Sequence, residues 1–210
     1  MVDPVVSVII MSYNHEKYVS QSIEGVLMQR TEFPFELVIG DDFSTDSTRK
    51  IIIGYAEKTP EIIRYIFSES NQGVHKNFTN SLSSCKGKYI ALCEGDDYWT
   101  DPMKLQKQVE FLESNPDYGL VCTDIEVVNE NGEIIIWQPL IELKERYKSG
   151  YIFFEQFKGA TINTLTSCFR VQLIDEILYS EDLWYLIDLW LWLRISMKSK
   201  VKYMNFVSAH

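Results

Sequence analysis

The chain has 210 residues, 46% of them hydrophobic, and a net charge of −10. That length suits a single α/β unit, and that composition lies far from disorder. The charge excludes nonspecific nucleic-acid binding, which needs a basic surface, so an anionic substrate must be held through a metal or local basic residues. Cys85, Cys93, Cys122 and Cys168 have no CxxC spacing and read as reduced core residues of a cytosolic protein. No signal peptide is expected, and no uncharged apolar run reaches the roughly 18 residues of a membrane-spanning helix.

In chain order, residues 5–11 form a continuous apolar run, as in a parallel strand buried on both faces. Val19, Ile23, Val26 and Leu27 then recur at helical spacing. A strand is expected over 37–40 and a helix over 46–58 capped by Ser44 or Thr45, followed by a strand over 62–67 and a helix over 74–85. After a strand over 89–93, Asp101 and Pro102 read as the cap and first residue of a helix whose buried face carries Leu105, Val109 and Leu112. Strands are expected over 118–123 and 133–137, the latter paired as a hairpin through the Asn131-Gly132 turn. This β/α succession predicts a mixed sheet.

Two segments carry the chemistry. Lys88-Tyr-Ile-Ala-Leu-Cys-Glu-Gly-Asp-Asp-Tyr-Trp-Thr-Asp-Pro102 runs from a buried strand directly into Glu94, Asp96 and Asp97. Carboxylates beside a core lose hydration, and a divalent cation offsets that loss. Mg²⁺ and Mn²⁺ take oxygen ligands, with water and substrate phosphates completing the shell. The cluster therefore points to a metal–phosphate site, the plainer possibility being a solvated acidic turn. Glu36-Leu-Val-Ile-Gly-Asp-Asp-Phe-Ser-Thr-Asp-Ser-Thr48 repeats the arrangement, a strand ending in Asp41 and Asp42. Ligands of open α/β sheets bind outside the carboxyl ends of strands, so both clusters point to one crevice.

These residues resemble family 2 of the inverting glycosyltransferases, which have the nucleotide-sugar-binding GT-A fold. Val6-Ser-Val-Ile-Ile-Met-Ser-Tyr-Asn14 is similar to the family's opening strand and turn, and 39–48 to its DDxSxDxT segment. Glu94-Gly-Asp-Asp97 resembles its DXD region, and Asn71-Gln-Gly73 its N-x-G loop. The resemblance implies a Rossmann-like mixed central sheet flanked by helices in a single GT-A domain over 1–210, with a nucleotide-sugar half (1–100) and an acceptor-side half (101–210). It implies that Ser12, Asn14, Asp41, Asp42 and Glu94 bind the nucleotide, Asp42 at the base edge with Asp41 in support. It also implies that Asp96 and Asp97 serve a Mn²⁺ or Mg²⁺ ion on the diphosphate. Glu94 stands where the family's first Asp is usual.

In the second half, residues 185–195 form an apolar helix pattern holding one acid, Asp188, and one base, Arg194. A carboxylate there suits a proton acceptor, or is an exposed helix-start residue favoured by the dipole. Asp188-Leu-Trp-Leu-Trp-Leu-Arg194 resembles the family's acceptor-side motif, which implies that Asp188 is the catalytic base. Ile187 replaces the Glu that many relatives carry. Residues 202–210 resemble the strand before a Tyr-Arg-x-His-type lid, so a C-terminal truncation is expected.

The function implied is inverting transfer of a sugar, from a nucleotide-diphosphate donor that is expected to be UDP-linked, in surface polysaccharide or glycoconjugate synthesis. The implied acceptor is a sugar, a lipid-linked glycan or another glycan, with no nucleic acid. The implied location is cytoplasmic, with peripheral association at the inner membrane face. The alternatives are a noncatalytic nucleotide-sugar-binding domain and a sugar-phosphate nucleotidyltransferase. The latter is disfavoured because Ser12-Tyr-Asn-His-Glu-Lys17 stands where a glycine-rich phosphate loop belongs. His15 and His75 read as solvated helix-start residues, and Arg64 and Lys76 as the nearest basic candidates for the diphosphate. The aromatic residues Trp184, Tyr185, Trp190 and Trp192 read as core or a sugar platform. Those around Tyr151, Phe154 and Phe157 read as packing or a membrane-surface patch.

Overall fold

A computed structural model describes residues 3–159, 162–174 and 187–210. The first apolar runs become four strands, β1 (Val6–Ser12), β2 (Phe35–Asp41), β3 (Ile63–Phe67) and β4 (Tyr89–Glu94). They alternate with helices α1 (Val19–Leu27), α2 (Thr48–Lys58), α3 (Val74–Ser83) and α4 (Lys104–Ser114). The chain continues through β5 (Tyr118–Ile125), β6 (Val127–Val128), β7 (Ile134–Ile135), α5 (Gln138–Lys144) and α6 (Phe153–Gln156). It ends with β8 (Cys168–Arg170), α7 (Ile187–Lys198) and β9 (Lys200–Ala209).

Seven strands form one sheet in the order β3-β2-β1-β4-β8-β5-β9. Strands β1 to β4 are parallel, β8 runs antiparallel to both β4 and β5, and β9 is parallel to β5. The sheet is mixed and flanked by helices, as expected. Alternation along the strands divides the core between two faces. Val6, Val8 and Ile10 pack with Val19, Ile23, Ile52, Leu105 and Val109 from α1, α2 and α4. Ile9, Ile90 and Leu92 pack on the other face with Phe78 of α3 and Leu191, Trp192 and Ile195 of α7.

Several local expectations are corrected. The Asn131-Gly132 turn closes a hairpin as expected, but the 133–137 segment does not join the main sheet. Only Ile134–Ile135 is strand, and it pairs with Val127–Val128 in a separate two-stranded sheet, while β5 is already flanked by β8 and β9. Helix α2 begins at Thr48, because the Ser44 and Thr45 groups bond to Asp41 and Asn14 instead of capping it. Asp101 accepts the Met103 N–H at 2.8 Å, and α4 starts only at Lys104. The cysteines are free thiols, with Cys93, Cys122 and Cys168 buried. Trp192 is a core residue, and Trp184 and Tyr185 lie outside the described residues. Of the aromatic segment, Ile152 is buried whereas Tyr151, Phe154 and Phe157 are exposed.

Candidate active site

The strand register builds the site. Ser12 pairs with Asp41 and Met11 with Glu94, so the ends of three adjacent parallel strands bring these residues together. After β3 the chain returns to the other side of β1 to make β4. Adjacent connections then leave on opposite faces, which opens a crevice between the ends of β1 and β4.

The first acid turn is internally satisfied. Asp41 is fully buried and takes Arg49 Nε at 2.5 Å, the Ser44 N–H at 3.0 Å and the Ser44 hydroxyl. Arg49 also donates to the Ser68 carbonyl and lies over the Phe43 and Phe67 rings. Each Asp42 carboxylate oxygen accepts one backbone N–H at 2.8 Å, from Gln72 and from Gly73. Gly73 has φ +86°, a conformation that favours glycine and lets the 71–73 loop close onto Asp42. Asn14, at φ +56°, receives the Thr45 N–H on its side chain and donates its own N–H to the Ser44 hydroxyl. Asn14 thus ties the first turn to the acid turn and does not line the crevice.

The second acid turn is electrostatically unsettled. Gly95 donates its N–H to the Met11 carbonyl at 2.9 Å, and a Cβ there would lie 2.5 Å from His15 Nδ1, so no larger residue fits. Glu94 is pushed up to about 7 by burial and by the charges of Asp97, Asp96 and Asp188, together with a hydrogen bond to Asp97. Asp97 is raised to about 6 by burial and Asp96, with the Glu94 hydrogen bond opposing the rise. Burial and mutual repulsion thus raise the proton affinity of both Glu94 and Asp97. Asp96 is exposed beside them. Among the described residues no lysine, arginine or histidine forms an ion pair with these three acids.

Backbone and buried contacts hold this turn in place. The Asp97 carbonyl accepts Ser22 Oγ at 2.6 Å, Tyr98 and His210 exchange backbone bonds, and Thr100 donates to the Ser208 carbonyl. Beneath them Trp99 is buried, bonds the Leu165 carbonyl and lies 3.9 Å from the ammonium of buried Lys104. Burial lowers Lys104 to about 8.

The crevice has a volume of 290 Å³, and its walls include Ser12, His15, Asp42, Asn71, Gly73, Asn77, Glu94 and Asp96. Ser12 Oγ and His15 Nδ1 are buried there without a hydrogen-bond partner, the state expected of groups that meet a ligand or water. A second cavity of 260 Å³ shares Met11, Val74 and Glu94 with the crevice and reaches Asp188. Asp188 is exposed in the first turn of α7, where it accepts the Leu189 N–H at 2.7 Å. It is not solitary, since it faces Glu94 and raises that residue's proton affinity.

Among the described residues no trio of His, Cys, Asp or Glu closes into a complete metal cage. An open pair of carboxylates still suits Mg²⁺ or Mn²⁺, which keep water and phosphate ligands. The crowding of Glu94, Asp96 and Asp97, which form no ion pair with a basic side chain among the described residues, is the observation that fits such an ion.

His15, Asn77 and Thr164 were missed in the sequence, where only adjacency to the quoted motifs marked the first two. His75 is not solvated but buried in α3, and His15 is half-buried on the crevice wall. Arg64 is no diphosphate residue, because it pairs with Glu36 at 2.7 Å in a pocket with Pro34 and Lys86 that shares no residue with the crevice. Lys76 is exposed in α3.

A model of glycosyl transferase family 2 matches residues 7–178. The chain belongs to this family. An uncharacterised glycosyltransferase of Methanocaldococcus jannaschii is 32% identical over 194 residues, which are 91% of this chain and 64% of the relative. An uncharacterised protein of Mycobacterium tuberculosis is 48% identical over 126 residues, covering 60% of this chain and 36% of the relative. The chain thus spans between about a third and two thirds of these relatives' length. The crystal structure of S. aureus TarS superposes with a TM-score of 0.73 at 20% identity, covering 97% of this family 2 chain and 59% of that one. A Pyrobaculum calidifontis mannosyltransferase in complex with GDP-Man and Mn²⁺ gives 0.70 at 17% identity, with 99% and 57% coverage. The fold is that of GT-A glycosyltransferases.

Proposed function

We propose that this family 2 glycosyltransferase moves a sugar from a UDP-linked donor to an acceptor hydroxyl with inversion, in surface polysaccharide or glycoconjugate synthesis. The observation that carries the reading is that Asp188 and Glu94 line one cavity, which shares Met11, Val74 and Glu94 with the crevice holding Asp96. Ser12 and Asp42 form the nucleotide wall, with Asp41 and Asn14 keeping that wall in shape. Asp96 and Asp97, beside Glu94, would hold Mn²⁺ or Mg²⁺. A cation bound there supplies Lewis-acid stabilisation of the departing diphosphate. Asp188 accepts the proton of the acceptor hydroxyl as that oxygen attacks the face opposite the leaving group. A single attack of this kind inverts the anomeric centre.

The solved neighbours lend support, since TarS structures include complexes with UDP and UDP-GlcNAc and the mannosyltransferase complex includes Mn²⁺. Among the described residues no helix is long and apolar enough to cross a membrane. Exposed Tyr151, Phe154 and Phe157 beside Lys148 and Lys158 favour peripheral contact with the inner membrane face. A noncatalytic donor-binding role is the second reading, favoured by the exposed position of Asp188.

The test is a thermal-shift panel of UDP- and GDP-sugars with and without Mn²⁺, followed by assay of released nucleoside diphosphate with glycan acceptors. A Mn²⁺-dependent shift with UDP-sugars and acceptor-dependent release are expected. No shift with any nucleotide sugar overturns the proposal, and binding without release favours the second reading.

A further inference from the structure

The cavity that reaches Asp188 has a mixed lining. Glu94, Asp188 and Thr164 supply its polar groups. Its apolar lining comes from Val74 and Phe78, one turn apart on α3, with Met11 of β1, Leu92 of β4 and Leu191 of α7. Leu191 and Asp188, three residues apart, share one face of α7, so the helix presents a carboxylate and an apolar side chain to the same space.

A sugar hydroxyl on the carboxylate side can donate to Glu94 or Asp188. A hydroxyl against the wall formed by the apolar residues meets only hydrocarbon and loses its water without replacement, which is unfavourable. A methyl group on that wall leaves water favourably. We infer that this wall selects a donor sugar carrying a methyl-terminated substituent, such as an N-acetyl group or a 6-deoxy carbon, over the corresponding plain hexose. The inference rests on the reading of the adjoining crevice as a nucleotide-sugar site. The 260 Å³ volume holds a monosaccharide without demanding a larger ligand.

The test measures, by calorimetry with Mn²⁺, the affinity for UDP, UDP-glucose, UDP-6-deoxyglucose and UDP-N-acetylglucosamine. GDP, GDP-mannose and GDP-rhamnose form the parallel set if guanosine is the nucleotide bound. At least one methyl-bearing sugar is expected to bind about tenfold more tightly than its plain hexose, the typical worth of a small apolar group in such a pocket. Which of the two uridine sugars gains separates the acyl from the deoxy source. Leu191→Asn should collapse the affinity ratio towards one. If that variant does not fold, Val74→Thr replaces an exposed methyl by a hydroxyl and should lower the same ratio. Tight binding of a nucleoside diphosphate with equal or better affinity for the plain hexose overturns the inference and leaves the donor-site reading standing. Absence of binding by either nucleoside diphosphate overturns both, whereas an unchanged ratio in folded variants overturns the inference about the wall alone.

Discussion

The two acid turns look alike in sequence and are held in opposite ways. At the end of β2, Asp41 is neutralised by Arg49 and Asp42 by two backbone N–H groups. At the end of β4, Glu94, Asp96 and Asp97 crowd together with no basic partner among the described residues, and two of them are driven towards protonation. The first turn is a finished support whose charge is answered from inside the protein. The second is unfinished and suited to a charge arriving from outside. Paired carboxylates at strand ends therefore do not share a role merely because they share a motif.

The largest expected effect lies at Asp188, which lines the same cavity as Glu94. Asp188→Asn should lower sugar transfer by roughly 10²–10⁴-fold, the usual worth of a positioned base, while nucleotide affinity survives. Near-normal transfer rates in that variant would make Asp188 only a helix-start residue.

Arg49→Met attacks the finished turn. It strands a buried carboxylate, so unfolding in urea should reveal a loss of about 3 kcal/mol, with Ser44 retaining part of the hydrogen bonding. Asp96→Ala attacks the unfinished one and should leave urea stability nearly unchanged. Its consequence is a loss of Mn²⁺-supported UDP binding of about tenfold or more, read by calorimetry. If both variants behaved alike, the contrast between the turns would fail.

Asp42→Ala should weaken every nucleotide by about tenfold, because it frees the 71–73 loop from two hydrogen bonds. Any further loss specific to uridine nucleotides over guanosine nucleotides measures a direct contact with the base edge.

The smallest effect is a pH dependence. Glu94, near 7 in the folded protein against an ordinary 4.5, and Asp97, near 6 against 3.8, hold protons more tightly when folded. Between about pH 4 and pH 7 the unfolded chain therefore binds fewer protons than the folded one, and stability falls as pH rises. Metal-free protein should gain a few degrees in melting temperature between pH 7.5 and pH 5 from this pair. Asp97→Asn removes one of the interacting charges and should flatten that gain.

Much of the parallel half was legible because its signals are local. Apolar runs marked β1 to β4, helical spacing marked α1 and the buried face of α4, and abrupt acids marked the strand ends. The 133–137 segment misled in its extent, not in its turn: the Asn131-Gly132 hairpin forms, but only Ile134–Ile135 pairs, with Val127–Val128, because β5 is claimed on both sides by β8 and β9. Ser44 and Thr45 misled for a related reason. Residues that cap helices also bond across loops, and here Asp41 and Asn14 lie closer to them than the helix start does.

The sequence alone determined the α/β succession, the two carboxylate clusters at strand ends and the family to which the chain belongs, since these depend on residue type and short spacing. Only the tertiary structure decided that Asn14 is a tie between loops, that Arg64 sits away from the crevice and that Asp188 faces Glu94. Those facts depend on which strand lies beside which, and on hydrogen bonds and charges between residues about 25 to 95 positions apart.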